Sequence, residues 1–350
     1  MLLDLDAFQA NLNRVAREVT KARKNLRPHA KAHKCVEIAR RQIAGGACGI
    51  CVATVAEAEL MAKAGIEGLL LTSPLADPAK IARILQTGAM VVVDHQRQIE
   101  WYSEAAEAAG KKVDVLVDLD VGDHRTGARS IEQTLEIAQA VERRASLRLR
   151  GLQAYSVSGS HAANADERRR ISEETVRVAA EVRDAAAGNG ISLETVSGGS
   201  TGSWQIDVEL PEFTELQAGS YVLMDLAYKR LGLDLRNALT VLATVVSANH
   251  DRLVTVDAGL KAFSTDRGYG PEALRIEGSK YRWGGDEFGM VELVQQGPRP
   301  KLGDRIEFIP PHCDPTVNLY DRIYALRGDK VDAIWPVMDR MRMPVISSHV

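Results

Sequence analysis

Apolar positions along the first two thirds of the chain alternate between two spacings. Segments with apolar residues three and four apart, the period of an amphipathic helix, are separated by short continuous apolar runs of strand length. The stretch 8–21 carries Leu12, Val15 and Val19 on one face and predicts a helix. A strand at 25–30 runs into a basic segment. Helices follow at 36–44, 56–64, 78–86, 98–109, 131–142 and 166–189. Strands are expected between them at 49–53, 68–72, 89–93, 113–119, 149–155 and 193–197, with a last one at 213–217. Near residue 236 the long helical periods stop. Strand-like runs at 239–246, 253–257, 290–294 and 305–309 are separated by Gly and Pro, and 2–5 also reads as a strand.

This alternation predicts an α/β fold. A (β/α)8 TIM-like barrel over 7–235 is expected, followed by a mostly β domain over 236–350 that the N-terminal strand 1–6 joins. A doubly wound sheet is the alternative. Composition changes this picture little. The 350 residues are 45% hydrophobic and 26% charged, ordinary for a globular chain with a large core. A net charge of -3 gives no electrostatic reason to expect nucleic acid or an anionic membrane as partner. No apolar run reaches membrane-span length, and the start has no basic segment before an apolar core, so neither a span nor a signal peptide is predicted. Cys48 and Cys51 form a C-x-x-C pair inside an apolar run, read as two packed thiols. With no disulfide framework among four cysteines, a cytoplasmic location is expected.

In a barrel, functional groups gather at the C-terminal ends of strands. The first strand ends in Arg27-Pro28-His29-Ala30-Lys31-Ala32-His33-Lys34. Neighbouring cations disfavour an ammonium, as an imine-forming lysine needs, which favours Lys31, with Lys34 as a competitor. The turn Ser197-Gly198-Gly199-Ser200-Thr201-Gly202-Ser203 can aim backbone N–H groups and hydroxyls at an anion; no Gly-Lys-Ser/Thr follows, so it is not a P-loop. A lysine with a phosphate cradle suggests pyridoxal phosphate held as a Schiff base. In Pro311-His312-Cys313-Asp314-Pro315, His312 and Asp314 can share one side of an extended segment and suit a divalent cation, water or substrate completing its shell. A loop with a buried thiol is the plainer reading of that segment.

These motifs, with Asp120-Val121-Gly122, Arg125, Gly127, the 215–221 segment and Asp257-Ala258-Gly259-Leu260-Lys261, are similar to those of the D-threonine aldolase / D-serine dehydratase family. The resemblance runs nearly end to end. It implies an alanine racemase-like fold, pyridoxal phosphate, a divalent metal (manganese first, then magnesium, cobalt or zinc) and a homodimer. It implies Lys31 as the Schiff-base residue and Arg125 near the cofactor's phenolic oxygen. Tyr155 would lie against the ring, Gly198, Gly199, Ser200, Thr201 and Gly202 around the phosphate, and Tyr221 in a cofactor-contact motif. His312 and Asp314 become the metal ligands, and His161 the acceptor of the substrate hydroxyl proton, suited to that step by an ordinary imidazole pKa. The family's dehydratases carry His-x-Cys where its aldolases carry His-x-Asp. Asp314 therefore points to retro-aldol cleavage of a D-β-hydroxy-amino acid, D-threonine above all. The alternatives are 3-hydroxy-D-aspartate cleavage, for which Lys229, Arg230 or Arg267 could supply a cation, a dehydratase using Cys313, and a cofactor carrier without turnover. Ser156, Val157 and Phe288 depart from the family pattern. Phe288 is expected to favour an apolar β-substituent over a carboxylate.

Overall fold

The computed structural model describes residues 1–294 and 299–338, so residues 295–298 and 339–350 of the expected β domain lie outside the described residues. A short strand β1 (Leu2–Asp4) leads into the helix Leu5–Lys21, which Asp4 caps by accepting from the amides of Asp6 and Ala7. Eight parallel strands then form one sheet: β2 (Asn25–Leu26), β3 (Ile50–Val52), β4 (Leu69–Leu71), β5 (Met90–Val93), β6 (Val113–Asp118), β7 (Leu147–Ala154), β8 (Thr195–Gly198) and β9 (Glu215–Leu216). They lie in chain order, with β2 beside β9. The circle closes between β2 and β3, where a parallel bridge joins His29 to Cys51 and the Cys51 amide donates to the Pro28 carbonyl at 2.9 Å. This closure gives a barrel and excludes the open doubly wound sheet.

Strand parity explains the continuous apolar runs. Ile50 and Val52, Leu69 and Leu71, and Val91 and Val93 face the surrounding helices in the main core. The alternate residues Cys51, Leu70, Val92 and Leu116 form a separate cluster inside the barrel. Cys51 is thus a packed thiol, whereas Cys48, expected to pack with it, is exposed, its thiol donating to Glu215 at 3.4 Å. In β7 the pairing slips by one residue, so that Leu116 of β6 faces Gly151 where Arg150 would be due. Gly151 has φ +147°, and a Cβ there would come 2.0 Å from the Thr195 carbonyl oxygen. The slip exchanges the two faces of the strand beyond it and sends Gln153 and Tyr155 toward the barrel mouth.

A polar chain crosses the barrel interior. Arg27 donates to both carboxylate oxygens of Glu215 at 2.9 and 2.8 Å, and Ser197 donates to Glu215 at 2.7 Å. Gln217 donates to Ser197 and to Gln153, and Gln153 donates to Asp118 at 2.8 Å. Removing either partner of the Arg27–Glu215 pair would strand a buried charge, at a cost of about 3–5 kcal/mol.

The second sheet follows: β10 (Leu239–His250), β11 (Leu253–Val256), β12 (Glu272–Ala273), β13 (Lys280–Trp283), β14 (Gly289–Glu292), β15 (Arg305–Ile309), β16 (Arg322–Arg327) and β17 (Lys330–Pro336). The N-terminal β1 is inserted in it, antiparallel to β10 and parallel to β16. Phe263, Tyr281, Trp283 and Phe308 pack edge to face inside this domain. Strands β12, β13, β16 and β17 escaped the sequence reading. In β13 and β16 burial alternates, with Lys280, Arg282, Arg322 and Arg327 at exposed positions, and in β17 Trp335 alone is buried.

Candidate active site

A cavity of about 420 Å³ opens at the C-terminal ends of the barrel strands and reaches the second domain. Lys31 lines it from the short turn Ala30–Ala32 after β2. That turn is set by His29, whose Nδ1 accepts from the Lys31 amide at 3.3 Å while Nε2 meets the Thr72 hydroxyl at 3.0 Å. The Lys31 Nζ lies 5.8 Å from the centre of the Tyr155 ring, and the Arg125 guanidinium 5.0 Å from it. The cations expected to crowd Lys31 have other duties. Arg27 is bound to Glu215, and Lys34 pairs with Glu57 at 3.7 Å and donates to Asn318. Burial pushes the imidazoles of His29 and His33 down, His33 to about 4, so both are neutral at neutral pH. Lys31 is on the cavity wall and Lys34 is not.

The turn after β8 contributes Gly199, Ser200 and Thr201 to the cavity wall. Gly199 has φ +71°, and a Cβ there would press on the Asp207 carboxylate at 2.6 Å. Ser200 and Ser203 share a 2.8 Å hydrogen bond, and Asp207 accepts from the Ser200 amide and the Ser203 hydroxyl. Burial raises the Asp207 carboxyl to about 6. The Thr201 hydroxyl is buried and has no hydrogen-bond partner. An unsatisfied donor at the mouth of a glycine turn fits a phosphate oxygen. Lysine, aromatic wall, arginine and this cradle together fit pyridoxal phosphate. Gly198 and Gly202 are not on the wall. They allow close packing, since a Cβ would meet the Ala154 oxygen at 1.9 Å and the Ser160 oxygen at 1.8 Å. Tyr221 is not on the wall either. It is buried in the core with its hydroxyl toward Gln42, and the preceding Ser220 takes the cavity position.

The second domain supplies His312 and Asp314 to the same cavity, but not from the extended segment expected: His312 stands at the N-cap and Asp314 in the first turn of the short helix Cys313–Val317. Between them, Cys313 is fully buried. Its amide donates at 2.7 Å to Asp225, itself inaccessible to solvent, and its thiol lies 3.2 Å from Asp314 Oδ1. The thiol is not on the cavity wall, which leaves the dehydratase alternative without a sulfur ligand. His312 Nδ1 lies 2.8 Å from Asp266 and its Nε2 3.4 Å from Arg267 Nη2, while Ser220 donates to Asp314 Oδ1 at 3.0 Å, leaving Oδ2. No group of three or more His, Cys, Asp or Glu among the described residues could hold an ion. By its chemistry alone, an imidazole with a carboxylate suits a divalent cation whose remaining shell comes from water or substrate.

His161 ends a short helix, Val157–His161. The segment has no helical apolar period; Ser156 caps it by accepting from the Gly159 amide at 3.0 Å, and Asp123 accepts from the Ser158 amide at 3.3 Å. The imidazole stacks on Tyr228 at 5.3 Å and stands edge-on to His312 at 6.2 Å. Burial first, then Arg267 and His312, lower it to about 4. It is therefore unprotonated at neutral pH, but a weaker base than an ordinary imidazole. Arg267 and Asp266 are off the cavity wall but touch its histidines, and no sequence signal gives their place, because only folding of the second domain brings the 264–267 loop to His161 and His312. Phe288 is 48% exposed and off the cavity wall, so the expected selection for apolar substituents has no basis within this chain.

Comparison with known proteins agrees with the geometry. The family model "Alanine racemase, N-terminal domain" matches residues 3–227, and "Putative serine dehydratase domain" matches residues 238–326. A D-threonine aldolase from Arthrobacter sp. is 38% identical over 97% of this chain and 92% of its own length. A 3-hydroxy-D-aspartate aldolase from Paracoccus denitrificans is 35% identical over 97% of this chain and 91% of its own. The crystal structure of D-threonine aldolase from Filomicrobium marinum superposes with a TM-score of 0.93 at 37% identity, covering 97% of this chain and 94% of that one.

Proposed function

Because the chain belongs to the family that joins an alanine racemase N-terminal domain to a serine dehydratase domain, we propose that it is a pyridoxal-phosphate- and metal-dependent aldolase. It cleaves D-β-hydroxy-α-amino acids to glycine and an aldehyde, with D-threonine as the reference substrate. Cleavage of 3-hydroxy-D-aspartate to glycine and glyoxylate is the alternative that shares this chemistry. The observation that carries the reading is the meeting of His161 with the His312/Asp314 pair, at a ring separation of 6.2 Å, in the cavity that Lys31 lines.

Pyridoxal phosphate supplies an electron sink for carbon–carbon cleavage. Lys31 would hold it covalently, Gly199, Ser200 and Thr201 its phosphate, Tyr155 its ring and Arg125 its phenolic oxygen. His312 and Asp314 would hold a divalent cation, manganese in this reading, against the substrate hydroxyl. His161, kept neutral by burial, accepts the hydroxyl proton on a ring nitrogen as the Cα–Cβ bond opens. Asp225 fixes the start of the helix Cys313–Val317 by its bond to the Cys313 amide. A cytoplasmic homodimer belongs to the same reading; among the described residues no helix is long and apolar enough to cross a membrane.

Product analysis tests the proposal. D-Threonine, L-threonine, D-serine and 3-hydroxy-D-aspartate are offered with pyridoxal phosphate and Mn²⁺, with and without chelator. Glycine and aldehyde from a D-substrate, abolished by chelator, are expected. Ammonia and a 2-oxo acid would overturn the reading in favour of a dehydratase.

A further inference from the structure

Arg168, near the start of the helix Ala165–Gly188, is 5% exposed, and no carboxylate among the described residues pairs with it. A buried cation without a counter-ion lowers stability, and an apolar side chain of similar length would fill the same space without that penalty. What the guanidinium holds is backbone. Nη1 donates to the Ala162 carbonyl at 2.7 Å and to the Ala163 carbonyl at 3.0 Å, and Nη2 donates to the Leu231 carbonyl at 3.3 Å. Ala162 caps the helix that ends in His161, so two of these bonds fall on the chain just after the proposed base. Leu231 follows Tyr228 by one turn, its amide donating to the Tyr228 carbonyl at 3.1 Å. Tyr228 carries the ring on which His161 stacks. One planar fork thus reaches the backbone behind both members of the stacked pair, a geometry that a lysine ammonium does not reproduce.

The base needs such a fastening. A helix as short as Val157–His161 leaves most of its carbonyls without an internal partner and is not stable alone. Ser156 and Asp123 fix its start, and Arg168 takes the carbonyls beyond its end. Its flank meets the glycine turn after β8, where a Cβ on Gly202 would come 1.8 Å from the Ser160 carbonyl oxygen.

We propose that Arg168 is a positioning residue for His161: it clamps the chain after His161 to the chain after Tyr228 and so fixes where the imidazole meets the substrate hydroxyl. The inference rests on the retro-aldol reading for the proton that His161 accepts, while the clamp itself stands on the three carbonyl bonds and the stacked rings.

A double-mutant cycle tests this by steady-state kinetics on D-threonine, with the enzyme loaded with pyridoxal phosphate and Mn²⁺. Arg168→Met keeps the length of the side chain and removes its donors. It should lower kcat about 10–100-fold, the effect of misplacing a reacting group by about 1 Å, and change KM by less than about 2-fold. In the His161→Asn background the same substitution should lower kcat by no more than about 2-fold, because the group it positions is gone. Arg168→Lys, with the charge but not the fork, should recover part of kcat, and it carries the cycle if Arg168→Met does not fold. An equal loss in both backgrounds would make Arg168 a general support of the fold and overturn the proposal. Proton magnetic resonance of the enzyme loaded with pyridoxal phosphate and diamagnetic Mg²⁺ reads the clamp without turnover. The His161 ring signals, identified by their absence in His161→Asn, should lose the shift that the Tyr228 ring gives them when Arg168 is replaced, while those of buried His33 stay in place. Unmoved His161 signals in both Arg168 variants would also overturn the proposal, whichever amino acids are cleaved. Displaced His161 signals in an enzyme that cleaves no β-hydroxy-amino acid would leave the clamp standing and overturn the aldolase reading instead.

Discussion

Asp225, at the edge of the barrel and inaccessible to solvent, accepts a 2.7 Å hydrogen bond from the amide of Cys313 in the second domain. The same carboxylate accepts from the Tyr228 amide at 3.0 Å, so it ties the helix that carries Tyr228 to the helix start that carries His312 and Asp314. Tyr228 in turn stacks on His161. One buried acid thereby sets both the metal pair and the base.

The first prediction follows from this tie. Asp225→Ala should lower Mn²⁺ affinity about 10–100-fold, as loss of a supporting hydrogen bond at a metal site does. Pyridoxal phosphate binding should be nearly unchanged, since Asp225, unlike Gly199, Ser200 and Thr201, does not line the cavity. Titration of Mn²⁺ by electron paramagnetic resonance, with cofactor content read by absorbance, separates the two. An unchanged Mn²⁺ affinity would show that the helix start holds its shape without Asp225.

His161→Asn should reduce kcat for retro-aldol cleavage about 10²–10⁴-fold, the usual contribution of a positioned base. Cofactor and Mn²⁺ content should stay at the unsubstituted level, because His161 is in neither proposed ligand set. Steady-state kinetics on D-threonine decides it; turnover at the original rate would remove His161 from the proposed mechanism.

The barrel was legible because its strands are buried on both faces and read as unbroken apolar runs, as at 69–71 and 91–93. The candidate site was legible where function keeps its residues close in sequence, as in Lys31, the 199–201 turn and the His312/Asp314 pair. What stayed hidden was tertiary. The neighbourhood of Arg267 is created when the 264–267 loop folds onto His161, 106 residues away in the chain. The neutral state of His29 and His33 comes from burial, which a basic-looking segment does not disclose. Tyr221 and Ser220 sit in one short turn, and no periodicity says which of two adjacent residues faces the cavity.

The unpartnered Thr201 hydroxyl gives the third prediction. Thr201→Val keeps the shape and removes the donor. The cofactor-free protein should be as stable as the original or more so, since a buried unsatisfied hydroxyl is removed. Affinity for pyridoxal phosphate should fall about 10-fold, the worth of one hydrogen bond to a charged oxygen. Urea unfolding of the apoprotein and cofactor titration measure the two effects. A stability loss with unchanged cofactor affinity would place the hydroxyl in the fold and not in the cradle.

Asp207 gives a prediction with a sign that can be worked out. Burial raises its carboxyl from the ordinary 3.8 to about 6 in the folded chain, despite hydrogen bonds from Ser203 and Ser200 that favour the charged form. The folded state therefore binds the proton more tightly than the unfolded state. The stability this contributes is fully present below the unfolded pKa and is lost as pH rises through about 6. A shift of this size corresponds to about 3 kcal/mol between the two limits. Asp207→Asn does not titrate, and its own mismatch with the serine donors is the same at every pH. Measured by urea unfolding of the apoproteins, the variant should gain on the original as pH is raised from 4 to 7.5, by an amount of that order, with most of the change between pH 4 and 6. A constant difference across that window would mean that the Asp207 carboxyl titrates alike in the folded and unfolded chains.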